Sequence, residues 1–471
     1  MKEFMGRGFM LSNYAAEHLY YEYAERAPIF DFHSHLPPKE IYENRNYGSI
    51  TELWLKADHY KWRAMRAAGI DEHYITGDAG DLEKFVMWAK VVERLPGSPL
   101  YHWTNLELKR YFGIDTPLTA KNAADVFERC GEMLRSEALR PVSILKGSGV
   151  KTVCTTDEPY DDLIWHIKIR EKGLPFRVLP TFRPDKFLRV DNNAWIESVR
   201  KLGVTERTEI GSYDALKNAL GKSLKRFREA GCVAADMGFS RFAYTGSPDM
   251  DDIAEKVFEK AMNGDAVSEA EADAFESSLL LFLGKEYARL GLCMQLHIGA
   301  MRNVNTKMFE KLGPDSGYDN VGLATDPRKL AAFLNDLCMA DSLPRTVLYG
   351  LNPVDLPVMT GIAVSFCDGE CPGKVQVGSA WWFNDTASGI KAQLTESAHA
   401  GLLRSFVGMV TDSRSFTAFV RHEYFRRILC SFLGDLVGSG EYPADFEVLG
   451  EMVSDICYNN AVRFFGSESK F

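Results

Sequence analysis

Short apolar runs of about six or seven residues alternate with stretches of helical periodicity along most of this chain. The apolar runs lack clean alternation, which is typical of parallel strands buried on both faces. Segments 213–230, 270–290 and 325–340 repeat apolar positions at helical spacing and are long enough for crossover helices. The pattern predicts eight strands, at 28–33, 151–156, 177–182, 231–236, 292–298, 345–350, 375–380 and 405–411.

Eight strands that alternate with helices favour an α/β fold of the (β/α)₈ TIM-barrel type, and a doubly wound sheet is the alternative. Segment 39–150 is too long for one crossover, so we expect a mainly helical insertion after the first strand, packed near the barrel mouth. Residues 416–471 are expected to add C-terminal helices, broken at Gly438-Ser439-Gly440 into 416–437 and 443–465. The whole chain, 1–471, is therefore expected to form a single barrel unit.

The composition narrows the class of partner. The 471 residues are 46% hydrophobic and 25% charged, as in ordinary globular proteins, and the formal net charge is -10. That charge argues against nucleic acid or an anionic membrane as the main partner. No apolar run of about 18 residues is present to span a membrane, and the N-terminus lacks the apolar core of a secretory signal.

The nine cysteines are odd in number and lack the spacing of a disulfide framework, which fits free thiols in a reducing cytoplasm. Cys367 and Cys371 have no second Cys or His pair nearby, so we interpret them as incidental rather than as a metal site. The cysteines inside apolar runs are expected to be buried thiols; they are Cys154, Cys232, Cys293 and Cys430.

Two histidines end the first predicted strand. His33 and His35 are two residues apart, so in a strand both project to the same face and can converge on one object. Leu36-Pro37-Pro38 follows at once and stops the strand. A His-x-His pair by itself is a weak pattern, and packing is the other interpretation. Its position at a strand end favours a divalent-metal site.

Other strands also end in residues capable of chemistry. Barrel enzymes carry their working groups at the carboxyl ends of strands. Taken singly, His297 could be a core residue, Asp412 a helix N-cap, and Trp381 a packing residue. Together, the histidines and Asp412 can hold one divalent cation such as zinc or manganese. Arg183 and Arg414 on the same rim would bind an anionic, carboxylate-bearing substrate.

Motifs over nearly the whole chain resemble those of the uronate (glucuronate) isomerase family of the amidohydrolase superfamily. They include Phe30-Asp31-Phe32-His33-Ser34-His35 and Thr411-Asp412-Ser413-Arg414. The segments that carry the resemblance are 30–38, 54–66, 99–104, 183–186, 297–303, 381–385, 408–415 and 421–427.

The resemblance implies a (β/α)₈ barrel and an aldose–ketose isomerase of the EC 5.3.1.12 type. Its expected reactions convert D-glucuronate to D-fructuronate and D-galacturonate to D-tagaturonate, in hexuronate catabolism in the cytoplasm. It also implies one divalent metal ion, with zinc first and manganese or cobalt as alternatives. The expected partner is the small-molecule hexuronate, without nucleic acid or membrane, and the expected assembly is a homo-oligomer.

The resemblance also suggests roles for individual residues. The metal ligands would be His33, His35, Asp412 and His297, although His297 could instead contact substrate. The catalytic residues would be Asp412, Tyr60, Arg414 and His297. The substrate-binding residues would be Arg183, Trp381, His59 and Arg302, with a structural role equally open for His59. One departure is Asp236-Met237, where many relatives have Asp-His, and it argues against a second metal.

Isomerisation requires removal of the C2 proton, an enediol, and reprotonation at C1. Asp412 is the predicted base, Tyr60 a candidate acid–base for the oxygen protons, and the metal or Arg414 would stabilise the enediolate. A direct hydride shift from C2 to C1 is the alternative mechanism. Two other functions remain open from the residues: a metal-dependent hydrolase of a lactone, ester or amide, and a carbohydrate-binding protein without catalysis.

Overall fold

The computed structural model describes residues 2–192 and 194–466. Short parallel strands form its centre, in agreement with the apolar runs of the sequence. Within the described residues, the strands are β1 (Ile29–Asp31), β2 (Val150–Cys154), β3 (Arg177–Leu179), β4 (Ala234–Phe239), β5 (Cys293–Ile298), β6 (Ala300–Met301), β7 (Asn320–Val321), β8 (Thr346–Gly350) and β9 (Val375–Val377).

The parallel strands follow one another in chain order around a ring. The orders β1-β2-β3 and β4-β5-β8-β9 are both parallel throughout. Phe182 joins these two sheets, because it forms parallel bridges with Asp157 after β2 and with Ala235 in β4. The expected parallel α/β architecture is therefore present.

The prediction of a regular eighth strand at 405–411 is wrong. Ser405 ends a 3₁₀ turn, and residues 406–413 carry no strand assignment. Gly408 and Asp412 adopt positive φ angles of 87° and 43°, which interrupt an extended backbone. The segment still fills the gap in the ring: the Val407 N–H donates to the Gln376 side chain in β9, and the Asp412 N–H donates to the carbonyl of His33.

Side chains from every part of the ring meet in one buried interior. Phe30, Cys154, Leu179 and Val347 belong to the same apolar cluster as Val407, although they come from four strands and the irregular segment. Filling of the interior by alternate side chains of each strand is the packing expected of a barrel of this size. The aromatic ring of Phe465, near the C-terminus, stacks on Phe32 with 4.7 Å between ring centroids.

Helices surround the ring of strands and also form the region after β1 and the C-terminal region. In the described residues they are α1 (Tyr14–Leu19), α2 (Pro38–Glu43), α3 (Ile50–Leu55), α4 (His59–Ala67), α5 (Asp81–Val92), α6 (Pro99–Phe112), α7 (Ala123–Leu134), α8 (Pro141–Gly147), α9 (Ile164–Lys172), α10 (Asp185–Leu188), α11 (Trp195–Glu206), α12 (Tyr213–Glu229), α13 (Met250–Met262), α14 (Glu269–Leu290), α15 (Thr306–Leu312), α16 (Pro327–Met339), α17 (Asp355–Ser365), α18 (Ala387–His399), α19 (Val420–Gly438), α20 (Phe446–Ser454) and α21 (Asn460–Phe465).

The region after β1 is helical, as the sequence predicts for 39–150. Helices α2 to α8 lie there, and buried Trp54, Phe85 and Trp88 share a core with Ile29 and Val150 of the ring. Helix α4 begins at the mouth of the ring because Asp58 caps its N-terminus, accepting hydrogen bonds from the Tyr60 and Lys61 N–H groups. The cap fixes the backbone direction at the start of α4 and so orients the side chains of His59 and Tyr60.

Other boundaries differ from the prediction in instructive ways. Strand β4 lies three residues later than the predicted 231–236, so Asp236 falls inside the strand. The antiparallel pair β6–β7 was not predicted, because two-residue strands leave no hydrophobic pattern. The predicted break after α19 occurs at Gly438, whereas the second C-terminal helix is divided by a π-helical turn at Asp455–Asn459. The last five residues of the predicted C-terminal segment 416–471, namely 467–471, lie outside the described residues.

None of the helices in the described part of the chain is long and apolar enough to cross a membrane.

Candidate active site

The first three residues of the site come from the join between β1 and segment 406–412. The Nε2 atoms of His33 and His35 lie 3.2 Å and 3.1 Å from the same oxygen, Oδ1 of Asp412. Backbone hydrogen bonds hold this arrangement: the Asp412 N–H donates to His33, and the His35 N–H donates to Ser413. The Thr156 hydroxyl lies 2.9 Å from Nδ1 of His35 and fixes the orientation of that ring. The two histidines therefore converge with Asp412, but not by the predicted strand alternation, because β1 ends at Asp31 and both histidines lie in the loop that follows it.

A second group lies on the other side of His33. Its Nδ1 is 3.6 Å from Oδ2 of Asp236, and Nδ1 of His297 is 2.6 Å from Oδ1 of the same carboxylate. An Arg183 nitrogen lies 3.5 Å from Asp236 Oδ2. Possible metal ligands thus fall into two groups that share His33, namely His33–His35–Asp412 and His33–Asp236–His297. His297 joins the site through Asp236.

Several buried polar atoms of the second group have no hydrogen-bond partner. They are Nδ1 of His33, Nδ1 of His297 and both carboxylate oxygens of Asp236. Nδ1 of His297 and Oδ1 of Asp236 lie 2.6 Å apart without the alignment of a hydrogen bond. Buried polar atoms without partners are costly, and a divalent cation coordinated by N and O donors would satisfy them. The donor set therefore fits a metal ion.

The charges of the site favour an ionised carboxylate at each group. Burial alone would raise the pKa of Asp412, but hydrogen bonds from His33 and His35 hold it well below its ordinary value. Burial likewise opposes ionisation of Asp236, while Arg183, His297 and His33 lower its pKa. Burial lowers the pKa of His35 to about 4, so this imidazole is neutral near pH 7 and able to act as a ligand.

A cavity of about 970 Å³ opens over these residues. Its volume suits a small-molecule substrate, and its walls come from the carboxyl ends of several strands. The residues singled out in the sequence that line it are His33, His35, His59, Arg183, His297, Arg302, Trp381, Asp412 and Arg414.

The arginines of the cavity differ in how firmly they are held. Arg183 is fixed by Asp236 and by Asp185, whose carboxylate lies 3.1 Å from the Arg183 Nε. Arg302 lies 2.8 Å from Asp319 and stacks over the ring of Trp382 at 4.6 Å. Arg414 is 3.3 Å from Asp315. The cavity therefore presents cationic groups to an anionic ligand, as the sequence predicts.

Tyr60 does not line this cavity but a neighbouring one, which it shares with His59, Asp412 and Arg414. Its ring stacks against His59 with 4.6 Å between centroids. Burial, followed by the charge of Asp412, raises the pKa of Tyr60 well above its ordinary value. The phenol is therefore protonated at neutral pH and can donate a hydrogen bond.

Sequence reasoning missed part of the site. Asp236 ended the predicted fourth strand, and that position was the available signal of its role. Arg421 and Asp385 lie behind the site, with 3.7 Å between Arg421 Nη1 and Asp385 Oδ2. Burial raises the pKa of Asp385 to about 7, partly offset by Arg421. Asp385 and Arg421 lie in the family segments 381–385 and 421–427, but no pattern in the sequence marks them as partners, because the pair forms only when α19 packs against the barrel.

A ring of parallel strands with histidines and acids at its carboxyl ends defines a TIM-type barrel whose site carries a set of possible metal ligands. The family model for glucuronate isomerase matches residues 1–465. A uronate isomerase of Caldanaerobacter subterraneus subsp. tengcongensis is 48% identical over 99% of this chain and 100% of its own length. One from Bacillus licheniformis is 46% identical over 100% of this chain and 99% of its own.

A solved structure gives the same result. The crystal structure of a uronate isomerase from Thermotoga maritima superposes with a TM-score of 0.93 at 35% sequence identity, covering 98% of this chain and 100% of that one. The chain belongs to the glucuronate isomerase family.

Proposed function

We propose that this protein is an isomerase that interconverts D-glucuronate with D-fructuronate and D-galacturonate with D-tagaturonate by moving a proton between C2 and C1. The observation that carries the mechanism is Asp412, an ionised carboxylate held by His33 and His35 and facing the arginine-lined cavity. Membership of the glucuronate isomerase family supports the reaction class and the substrate.

Arginine side chains would bind the carboxylate of the substrate. Arg414 and Arg302 reach the cavity and would take the substrate carboxylate, since guanidinium binds carboxylates in a directed, bidentate manner. Arg183 is already engaged with Asp236 and Asp185, so it would contact substrate oxygens with its remaining donors. Trp381, buried against His297, and His59 would form walls for the sugar.

The proton transfer needs one base that serves both carbons. Asp412 would remove the proton from C2 and deliver that proton, or one exchanged with solvent, to C1. Tyr60, protonated at neutral pH, would donate its proton to O1 as the enediol forms and take up the O2 proton as the carbonyl forms at C2, so that it ends the cycle protonated. His297 would contact the reacting oxygen or serve as a ligand. A bound divalent cation would supply stabilisation for negative charge developing on the substrate oxygens.

We infer a single ion, zinc first, with manganese or cobalt compatible with the same nitrogen and oxygen donors. His33, His35 and Asp412, with Asp236 and His297 beside them, would hold it. Asp412 would thus combine a metal contact with its role as the base. We further propose that the enzyme works in the cytoplasm as a homo-oligomer in hexuronate catabolism, in keeping with its free cysteines.

The test is turnover by purified, metal-analysed protein. We expect conversion of glucuronate or galacturonate to the ketose and no hydrolysis of a panel of lactones, esters and amides. In deuterated water, deuterium should enter at the transferred position as the enediol exchanges its proton. Failure to convert either hexuronate, combined with hydrolysis of one of the panel, would assign the hydrolase function instead. Complete absence of solvent deuterium would favour the hydride shift.

A further inference from the structure

Arg414 forms an ion pair with an acidic residue that lies in the proposed substrate cavity. In the part of the chain that the structure describes, the ion-pair partner of Arg414 is Asp315, whose Oδ2 lies 3.3 Å from the Arg414 Nη2. The other carboxylate oxygen of Asp315 lies 3.7 Å from Arg302 Nη1. All three residues line the 970 Å³ cavity that contains Asp412. One carboxylate thus faces the two arginines that are suited to a substrate carboxylate.

The loop that carries Asp315 is built to present it. Gly313 and Gly317 flank the turn with positive φ angles of 79° and 95°, and Asp315 itself has a φ of 55°. The carbonyl of the next residue, Ser316, accepts a hydrogen bond from Arg66 of α4. The Ser316 hydroxyl donates to the Gly313 carbonyl at 2.9 Å. The position of Asp315 is therefore fixed by its neighbours and does not depend on its own ion pairs.

The two acids near Arg302 differ in burial. Asp319 is 9% exposed, lies 2.8 Å from Arg302, and accepts a hydrogen bond from the Asn303 N–H, which makes it a structural partner. Asp315 is 55% exposed and makes longer contacts with both arginines. Exposed ion pairs contribute little because water screens them and the side chains lose entropy. Arg414 and Arg302 can therefore exchange Asp315 for a better-placed anion at small cost.

We propose that Asp315 is a resident competitor for the carboxylate of the substrate: it occupies Arg414 and Arg302 in the free enzyme, and the hexuronate carboxylate displaces it on binding. The inference rests on the proposed function of the site. Asp315 keeps the arginines apart and oriented without substrate, and it weakens binding of any ligand that carries a carboxylate. It is a specificity-determining residue and takes no part in proton transfer.

The decisive variant is Asp315→Asn, because asparagine tolerates the left-handed backbone and removes only the charge. We expect KM for glucuronate to fall by about 2- to 5-fold, the scale of one exposed charge pair, with kcat within about twofold of the parent. Asp341→Asn is the matched control. Asp341 has a similar φ of 49° and is exposed at the end of α16, outside the cavity, so its KM should not change.

Each result has one meaning. A KM that is unchanged or higher in Asp315→Asn would overturn the proposal and make Asp315 a residue that merely positions Arg414. A fall in kcat without a fall in KM would also overturn it. If the parent protein converts no hexuronate, the proposed function itself fails, and this outcome is distinct because it appears before any variant is compared.

Discussion

Asp412 occupies a backbone conformation that few side chains tolerate. Its φ of 43° lies in the left-handed region, where aspartate is accepted more readily than bulky or β-branched residues. This backbone conformation turns the carboxylate toward His33 and His35. The Asp412 N–H still donates to the His33 carbonyl, and the Ser413 carbonyl accepts from the His35 N–H. The conformation therefore positions the carboxylate in the site. It strains the local backbone, and the neighbouring hydrogen bonds offset that strain.

At the residue scale, we predict that Asp412→Asn lowers kcat by about 10²- to 10⁴-fold, the contribution typical of a general base. Asparagine keeps the shape and tolerates the positive φ, so the far-UV circular dichroism spectrum should be unchanged. Because His33 and His35 outweigh burial and hold the pKa of Asp412 well below its ordinary value, the base is ionised throughout the neutral range. Steady-state kinetics with metal-loaded enzyme provide the measurement.

Asp341→Asn, which changes the same residue type on the surface, should retain full activity. Retention of more than about a tenth of the parent kcat in the Asp412 variant would show that another group removes the proton.

At the scale of elements, Asp31 closes the ring where a regular strand is missing. This β1 residue is fully buried and accepts hydrogen bonds from both the N–H and the hydroxyl of Thr411. A side chain thus replaces the backbone ladder that would otherwise pair the eighth strand with the first. The same device operates on the other side, where Gln376 of β9 accepts from the Val407 N–H.

We predict that Asp31→Ala destabilises the protein by about 2 to 5 kcal/mol, since it leaves two buried donors of Thr411 without an acceptor. Urea unfolding at pH 7 measures the loss. Asp31→Asn should cost less, because its amide oxygen can still accept one hydrogen bond. Equal stability of Asp31→Ala and the parent would show that the segment is held by its apolar contacts alone.

Ionisation of Asp31 makes the free energy of unfolding depend on pH, and the shifted pKa fixes the direction of that dependence. Burial raises its pKa to about 7, despite the hydrogen bonds from Thr411. Between about pH 4 and 7 the native state therefore holds a proton that the unfolded chain has released, and the stability that it contributes is lost as the pH rises. Relative to Asp31→Asn, the parent should become less stable between pH 5 and pH 8.

At the scale of the whole molecule, the site couples metal binding to folding. The ligands come from the loop after β1, from β4 and β5, and from segment 406–412, which approach one another only in the closed ring. A cation that binds this assembled site and not the unfolded chain stabilises the native state by mass action. The orphaned atoms of His33, Asp236 and His297 would gain their partners at the same time.

We predict that removing divalent metal with a chelator lowers the free energy of unfolding, and that zinc at about 100 times its Kd restores about 3 kcal/mol. Urea titrations with and without added zinc provide the measurement. The variant His33→Asn, which loses the residue common to both groups of ligands, should show little response to zinc. The same zinc response in His33→Asn and in the parent would place the ion elsewhere.

The strands that are buried on both faces, and the residues at their ends, could be predicted from the sequence alone. Seven of the eight predicted strands form, because continuous apolar runs between amphipathic helices are a local signal of a parallel sheet. His33, His35, Asp412 and His297 were found in the same way, since barrel geometry brings strand ends together. The motifs of the family then supplied the substrate class, which periodicity alone does not carry.

The remaining features depend on contacts that form only when the chain is folded. The irregular join at 406–412 depends on side chains of Asp31 and Gln376 that lie far away in the chain. The pairing of Asp315 with Arg414 likewise joins residues 99 positions apart. The physical reason is the same for both: a hydrophobic pattern records which face of an element is buried, whereas the partner of a polar side chain is set by three-dimensional packing.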